Sequence, residues 1–174
     1  MALRQILTEP NSILRQKSIT VDKVDMEIQK LMDDMLETMY AAPGIGLAAI
    51  QVGVAKRIIV IDIAQKEGEK KPMFFVNPEI LEKSQIKSSY EEGCLSVPGQ
   101  FAEIDRPDKC HVKYLDYYGK YQEIKAEGML ATCIQHEIDH LEGILFIDYL
   151  SKLKRSMITK KLSKQKKELE RIVV

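Results

Sequence analysis

Two of the three histidines of the chain fall within five residues, His136-Glu137-Ile138-Asp139-His140. At i and i+4 their imidazoles share one face of a helix and can bind one divalent metal together. Glu137 is then placed to move a proton on a water activated by that metal. Catalytic sites of this type take three protein ligands and keep a position open for water or substrate. The third ligand must come from elsewhere, and Glu91-Glu92-Gly93-Cys94-Leu95-Ser96 offers the thiolate of Cys94. A histidine pair can also be merely packed or solvated, so its surroundings decide. At about 100° per residue, Met129, Cys133, His136 and His140 share one stripe, with Glu137 at its edge. Leu130, Ile134, Ile138 and Leu141 form a neighbouring stripe suited to a core. A face with histidines beside Met129 and Cys133 describes a metal at the floor of an apolar pocket.

Two further segments carry chemistry. Residues 43–53 combine paired glycines, small residues and one amide, Gln51. A dinucleotide loop does not fit: the third glycine of G-x-G-x-x-G is replaced by Ala49 and no strand precedes it, so no nucleotide cofactor is expected. The glycines instead let a substrate backbone approach closely, and Gln51 can offer a neutral donor to an oxygen acquiring charge. Beside Cys94, Gly93 frees the backbone, and the N–H of Leu95 can point at the metal.

The elements that must position these residues are legible in outline. Asp25 can cap a helix running to about residue 40, with Ile28, Met32, Met35, Leu36 and Met39 inward. The metal helix is expected over 127–142, with Gly143 at its C′ position. Strands are expected at 57–63, 73–76, 80–82, 86–90, 102–105, 110–116 and 121–126. Asn77-Pro78 reads as a turn, Tyr118-Gly119 as a hairpin turn and 68–71 as an exposed loop tip. Sequential strands between long helices predict an α+β fold. In it, antiparallel sheets pack around the central His136–His140 helix, with helices at the N- and C-terminal ends.

At 174 residues, 45% hydrophobic and 30% charged, the chain has the composition of one globular domain, 1–174. No apolar run reaches membrane-spanning length and no signal peptide is evident. Three cysteines make no disulfide framework, so a cytoplasmic location without membrane association is expected. Net charge is zero, yet residues 151–174 hold nine Lys or Arg against two Glu. Leu150, Leu153, Met157, Ile158 and Leu162 recur there, predicting a basic amphipathic helix over 150–174. Such a helix is either a solvated face or an arm for an anionic surface.

Gly44-Ile45-Gly46-Leu47-Ala48-Ala49-Ile50-Gln51, Glu92-Gly93-Cys94-Leu95-Ser96 and Gln135-His136-Glu137-Ile138-Asp139-His140 resemble, in order, the three signature motifs of the peptide deformylase family. The resemblance extends over essentially the whole chain. It implies removal of the formyl group from N-terminal formylmethionine of nascent polypeptides, with release of formate. Carried over, Cys94, His136 and His140 bind the metal and Glu137 is the acid–base. Gln51 and the Leu95 N–H stabilise the oxyanion, while Ile45, Gly46, Tyr90, Met129 and Cys133, with Gly93, surround the methionine. It further implies Fe²⁺ as the native ion, replaceable by Zn²⁺, Ni²⁺ or Co²⁺, and a C-terminal helix that binds the ribosome. Phe101 departs from members that carry a basic residue there. Two rival readings are a zinc peptidase, for which only His111 remains as a further histidine, and a structural metal closed by Cys110 or Cys133.

Overall fold

The computed structural model describes residues 2–64 and 68–173. Helix α1 spans Met26–Ala41, and the Asp25 carboxylate caps it by accepting the Ile28 N–H at 3.0 Å. A short strand β1, Gly46–Ala48, runs into a 3-10 turn over Ala49–Val52. Strands β2 (Ile58–Ile61), β3 (Met73–Lys83), β6 (Lys109–Leu115) and β7 (Tyr121–Glu127) follow, with β4 (Lys87–Cys94) and β5 (Val97–Pro107) between β3 and β6. Helix α2 covers Gly128–Leu141 and α3 covers Lys152–Val173. All pairings between strands are antiparallel, in a five-stranded sheet β1-β2-β3-β6-β7 and a two-stranded sheet β4-β5. This is an α+β fold.

The sheet is covered on both faces near β2, which explains its unbroken apolar run. Ile58 and Val60 join Met32, Met35, Met39 and Leu47 under α1. Ile59 and Ile61 turn the other way, to Phe75, Val112, Ile134 and Leu141 under α2. A third cluster, with Val97, Ile104, Phe146, Ile147 and Leu162, joins the β4-β5 hairpin to α3.

Two expectations need correction, and one strand went unforeseen. Asn77-Pro78 is no turn: β3 runs straight through it, with a register irregularity between Val76 and Glu79 and Asn77 at φ 52°. The Asn77 amide accepts from the Val21 N–H and donates to the Val21 carbonyl, both at 2.8 Å, so it replaces a strand partner rather than reversing the chain. β1 was not foreseen, because Gly and Ala are depleted in strands. On α3 the apolar residues do not form one stripe. Leu162 is buried, and Ile158, with Leu150 just before the helix, packs on the third cluster, but Leu153 and Met157 remain 71% and 62% exposed. At about 100° per residue, Leu153 and Met157 project roughly opposite Ile158 and Leu162, so the helix rests on its neighbours along one narrow line.

Candidate metal centre

Helix α2 carries His136 and His140, and its end is built to hold them still. Gly143 lies at φ 76°, its N–H bonds the His140 carbonyl at 3.1 Å, and the Ile144 N–H bonds the Asp139 carbonyl at 2.9 Å. That is the paired helix terminus foreseen from Gly143. Cys94 arrives from the end of β4, where a register shift between Gly93 and Cys94 re-aims the strand before the two-residue turn Leu95-Ser96. The ligand atoms of Cys94, His136 and His140 all lie within 4.8 Å of one another. Cys94 Sγ is 3.3 Å from His140 Nε2.

This donor set fits a divalent metal. Thiolate and imidazole suit zinc and iron alike, and ligands about 2.0–2.3 Å from a shared ion stand roughly as far apart as these do. The fit extends to the partners behind the ligands. His136 Nδ1 is bonded to Glu92 Oε1 at 2.9 Å, which leaves its other nitrogen for the metal. Glu92 is in turn gripped by buried Arg106, whose Nε and Nη2 donate at 2.7 and 3.0 Å. Arg106 Nη1 donates to Asp139 at 2.8 Å, Tyr149 donates to the same oxygen at 2.7 Å, and the Tyr149 ring lies 5.0 Å from the guanidinium. Burial opposes the charge on Glu92, but bonds from His136 and Arg106 outweigh it and hold the carboxyl below its ordinary range.

Glu137 is buried beside the ligands, and its Oε2 has no hydrogen-bond partner. Burial, with the charges of Glu92 and Asp139 and against those of His136 and Arg106, pushes its carboxyl up to about 7. A group so poised can both take and give a proton near neutral pH. The space it occupies is made by Gly46: a Cβ there would lie 2.6 Å from Glu137 Oε1 and 3.0 Å from Cys133 Sγ. Gln51 is equally buried; its Oε1 accepts the Ala48 N–H at 2.9 Å. Its Nε2 donates to Ser96 Oγ at 2.9 Å and faces Cys94 Sγ at 3.6 Å.

A cavity of about 680 Å³ opens over these residues. Its wall brings together Ile45, Gly46, Gln51, Tyr90, Gly93 and Leu95 with Cys94, Met129, Cys133, His136 and Glu137. His140 alone of the expected site residues is not on that wall, being wholly buried behind it. His111 sits instead on β6, 3.0 Å from Glu123, and Cys110 is packed in the core beneath α2. Sequence reasoning missed Arg106, Asp139, Tyr149 and Ser96, and gave Glu92 no task. The signal for Arg106 exists only in the fold, where an otherwise costly buried charge is seen to be fully paired.

A three-donor cluster on a cavity wall, with an adjacent buried carboxyl of raised pKa, defines a metal-dependent hydrolase. Comparison with known proteins narrows the class. The sequence profile described as polypeptide deformylase matches residues 3–156. The peptide deformylase of Pelagibacter ubique (strain HTCC1062) is 67% identical over 174 residues, covering 100% of both chains. Among crystal structures, the peptide deformylase of Ehrlichia chaffeensis in complex with actinonin is similar at a TM-score of 0.91 and 50% identity, over 95% of this chain and 98% of that one. That of Legionella pneumophila gives 0.90 and 48%, over 98% and 99%. The chain belongs to the polypeptide deformylase family.

Proposed function

We propose that this chain hydrolyses the formamide of N-terminal formylmethionine on nascent polypeptides, releasing formate and a free amine. The observation that carries the reading is the gathering of Cys94, His136 and His140 within 4.8 Å, with Glu137 buried alongside and one of its oxygens unpartnered. Those three residues would hold one divalent ion, Fe²⁺ as the resident metal with Zn²⁺, Ni²⁺ or Co²⁺ able to replace it. Bound there, the ion supplies Lewis acidity, making water acidic near neutral pH and polarising the formyl carbonyl.

The remaining work falls to the chain. Glu137 takes the proton of the attacking water and later delivers it to the amine nitrogen as the C–N bond breaks. Gln51 Nε2 and the Leu95 N–H donate to the oxygen of the formyl group as it gains charge; for Gln51 this means exchanging its weak contact with Cys94 sulfur. Glu92, fixed by Arg106, holds the His136 ring in one orientation. Ile45, Gly46, Tyr90, Gly93, Met129 and Cys133 enclose the methionine side chain, with the thioether of Met129 an adaptable wall. The basic α3 contacts the ribosome, and the enzyme works in the cytoplasm. No helix among the described residues is long and apolar enough to cross a membrane.

Anaerobic purification with metal analysis, beside assays on paired peptides, tests the reading. Formate should be released from formyl-Met-Ala-Ser in proportion to bound metal, with no cleavage of unformylated Met-Ala-Ser. Peptide-bond cleavage of the unformylated peptide, or no formate from a fully metallated protein, overturns it.

A further inference from the structure

The three segments that carry the candidate site are joined from behind by one stretch of chain, residues 7–18. The Leu7 N–H donates to the Gln51 carbonyl at 2.7 Å, the Glu9 N–H to the Ser96 carbonyl at 2.8 Å and the Ser18 N–H to the Leu141 carbonyl at 2.8 Å. Those acceptors are Gln51 itself, the turn two residues past Cys94, and the residue after His140. Between these bonds the stretch is pinned in its own right. The Asn11 side chain caps the 3-10 turn Ser12–Arg15 by accepting the Ile13 N–H at 2.9 Å, and Leu14 is wholly buried. No residue from 7 to 18 lines the cavity, so the stretch bears on the site only through the segments it holds.

Its tightest knot is at the end of α2. The last carbonyls of a helix have no partner within it, and a cation beside them complements the helix dipole. Here Leu141 is served by Ser18 and Gly143 by Arg15, whose Nη1 donates to the Gly143 carbonyl at 3.3 Å. The same nitrogen donates to Asp148 Oδ2 at 2.6 Å, and Nη2 lies 3.5 Å from Glu9 Oε1. The Arg15 backbone is pressed on the glycine as well: a Cβ on Gly143 would fall 2.4 Å from the Arg15 carbonyl oxygen. One guanidinium thus joins Glu9, whose backbone holds the Cys94 turn, to the end of the helix that carries His140.

We infer that Arg15 is a positioning residue for the metal, setting how far Cys94 stands from His140 through Glu9 on one side and the Gly143 carbonyl on the other. The inference rests on the deformylase reading above only in taking Cys94, His136 and His140 as ligands, and it adds what fixes their spacing. Ligands already held at their bound separation lose less freedom when they close on an ion. Removing a group that orients a ligand costs about 10–100-fold in metal affinity, and Arg15 acts one step further out, so about tenfold is expected.

The test strips the protein of metal and titrates it with Co²⁺ and with Zn²⁺ against a competing chelator. The Co²⁺ absorption bands, which report ligand geometry, and the melting temperature of each metal-free form are recorded alongside. Arg15→Met keeps the apolar stem without a donor; it should bind both ions about tenfold more weakly and shift the Co²⁺ bands. Arg15→Lys should recover part of the loss, since the charge is kept and the fork is not. Asp148→Asn should move affinity the same way by less. Arg4→Met is the control: its side chain is 34% exposed against 36% for Arg15, but its partner is Asp34 on α1. That variant should melt earlier with metal affinity and bands unchanged. Wild-type affinity and bands in Arg15→Met overturn the inference, and so does an equal loss of affinity in Arg4→Met, which would mark a general loosening of the fold. A wild type that binds neither ion sinks the metal reading underneath instead.

Discussion

Glu137 and Gly46 act as a pair, and each makes a prediction. Glu137→Gln keeps the ligands and the volume but cannot accept a proton, so metal content should be retained while kcat falls by about 10²–10⁴. Near-normal turnover at full metal occupancy would remove Glu137 from the chemistry. Gly46→Ala puts a methyl group against the Glu137 carboxylate. The carboxylate is the easier of the two to move, so the fold should survive and kcat should fall by about 10², the cost of a misplacement near 1 Å. A variant with wild-type kcat and a lowered melting temperature would show that the backbone yields instead. Sequence reasoning marked both residues, but as neighbours of different things. Gly46 was assigned to the methionine wall, and only the structure shows that its missing side chain is room for a carboxylate.

Elements were legible where their signals are local. On α2 two of the three candidate ligands, the apolar stripe and the terminal glycine all lie within one stretch of chain, and the helix forms where that stretch predicts. Arg106 depends on Glu92 and Asp139, 14 and 33 residues away, and β3 depends on the Asn77–Val21 bonds, 56 residues apart. Neither has a signature in its own neighbourhood. Helix α1 shows a comparable long-range tie with an energetic consequence. Asp34, buried in mid-helix, accepts from the Ala2 N–H at 2.8 Å, from Arg4 at 3.1 and 3.2 Å and from Lys30 at 3.3 Å. Burial opposes its charge, but these donors hold its carboxyl below the ordinary value. A lowered folded pKa means stability that is complete above the unfolded value, about 3.9, and lost as pH falls through the folded one. Asp34→Asn should therefore cost about 1–3 kcal/mol at neutral pH and close the gap to wild type in acid. Urea midpoints measured from pH 7 to pH 2 check it; a constant difference across that range would show that the charge is not involved.

At the scale of the molecule, charge is segregated. The basic residues of α3 stand on a helix whose buried contact with the body is Leu162, with Ile158 and Leu150 beside it. Lys160, Lys161, Lys164, Lys166 and Lys167 are all exposed along this helical arm. If the arm meets ribosomal RNA phosphate, affinity should fall steeply with salt, the log–log slope reflecting the number of contacts. Replacing those five lysines with Ala should weaken co-sedimentation with ribosomes at low salt and flatten the slope. Formate release from a short peptide should be unaffected, since no residue of α3 lines the cavity. Undiminished co-sedimentation would leave the arm as a solvated surface.

The order in which the chain emerges during its own synthesis also bears on where the three candidate metal ligands sit. Cys94 is made just past the midpoint, and His136 and His140 come more than forty residues later in a chain of 174, about four-fifths of the way along. Of the two sheet faces around β2, the one under α1 draws on elements completed before then, whereas the other is closed by α2 itself. The ion is consequently a late arrival in the life of each molecule, received only once the helix that closes the second face of the sheet is in place. Until that moment Cys94 waits without its two partner ligands, and scarcity or oxidation of the metal would leave behind an inert protein.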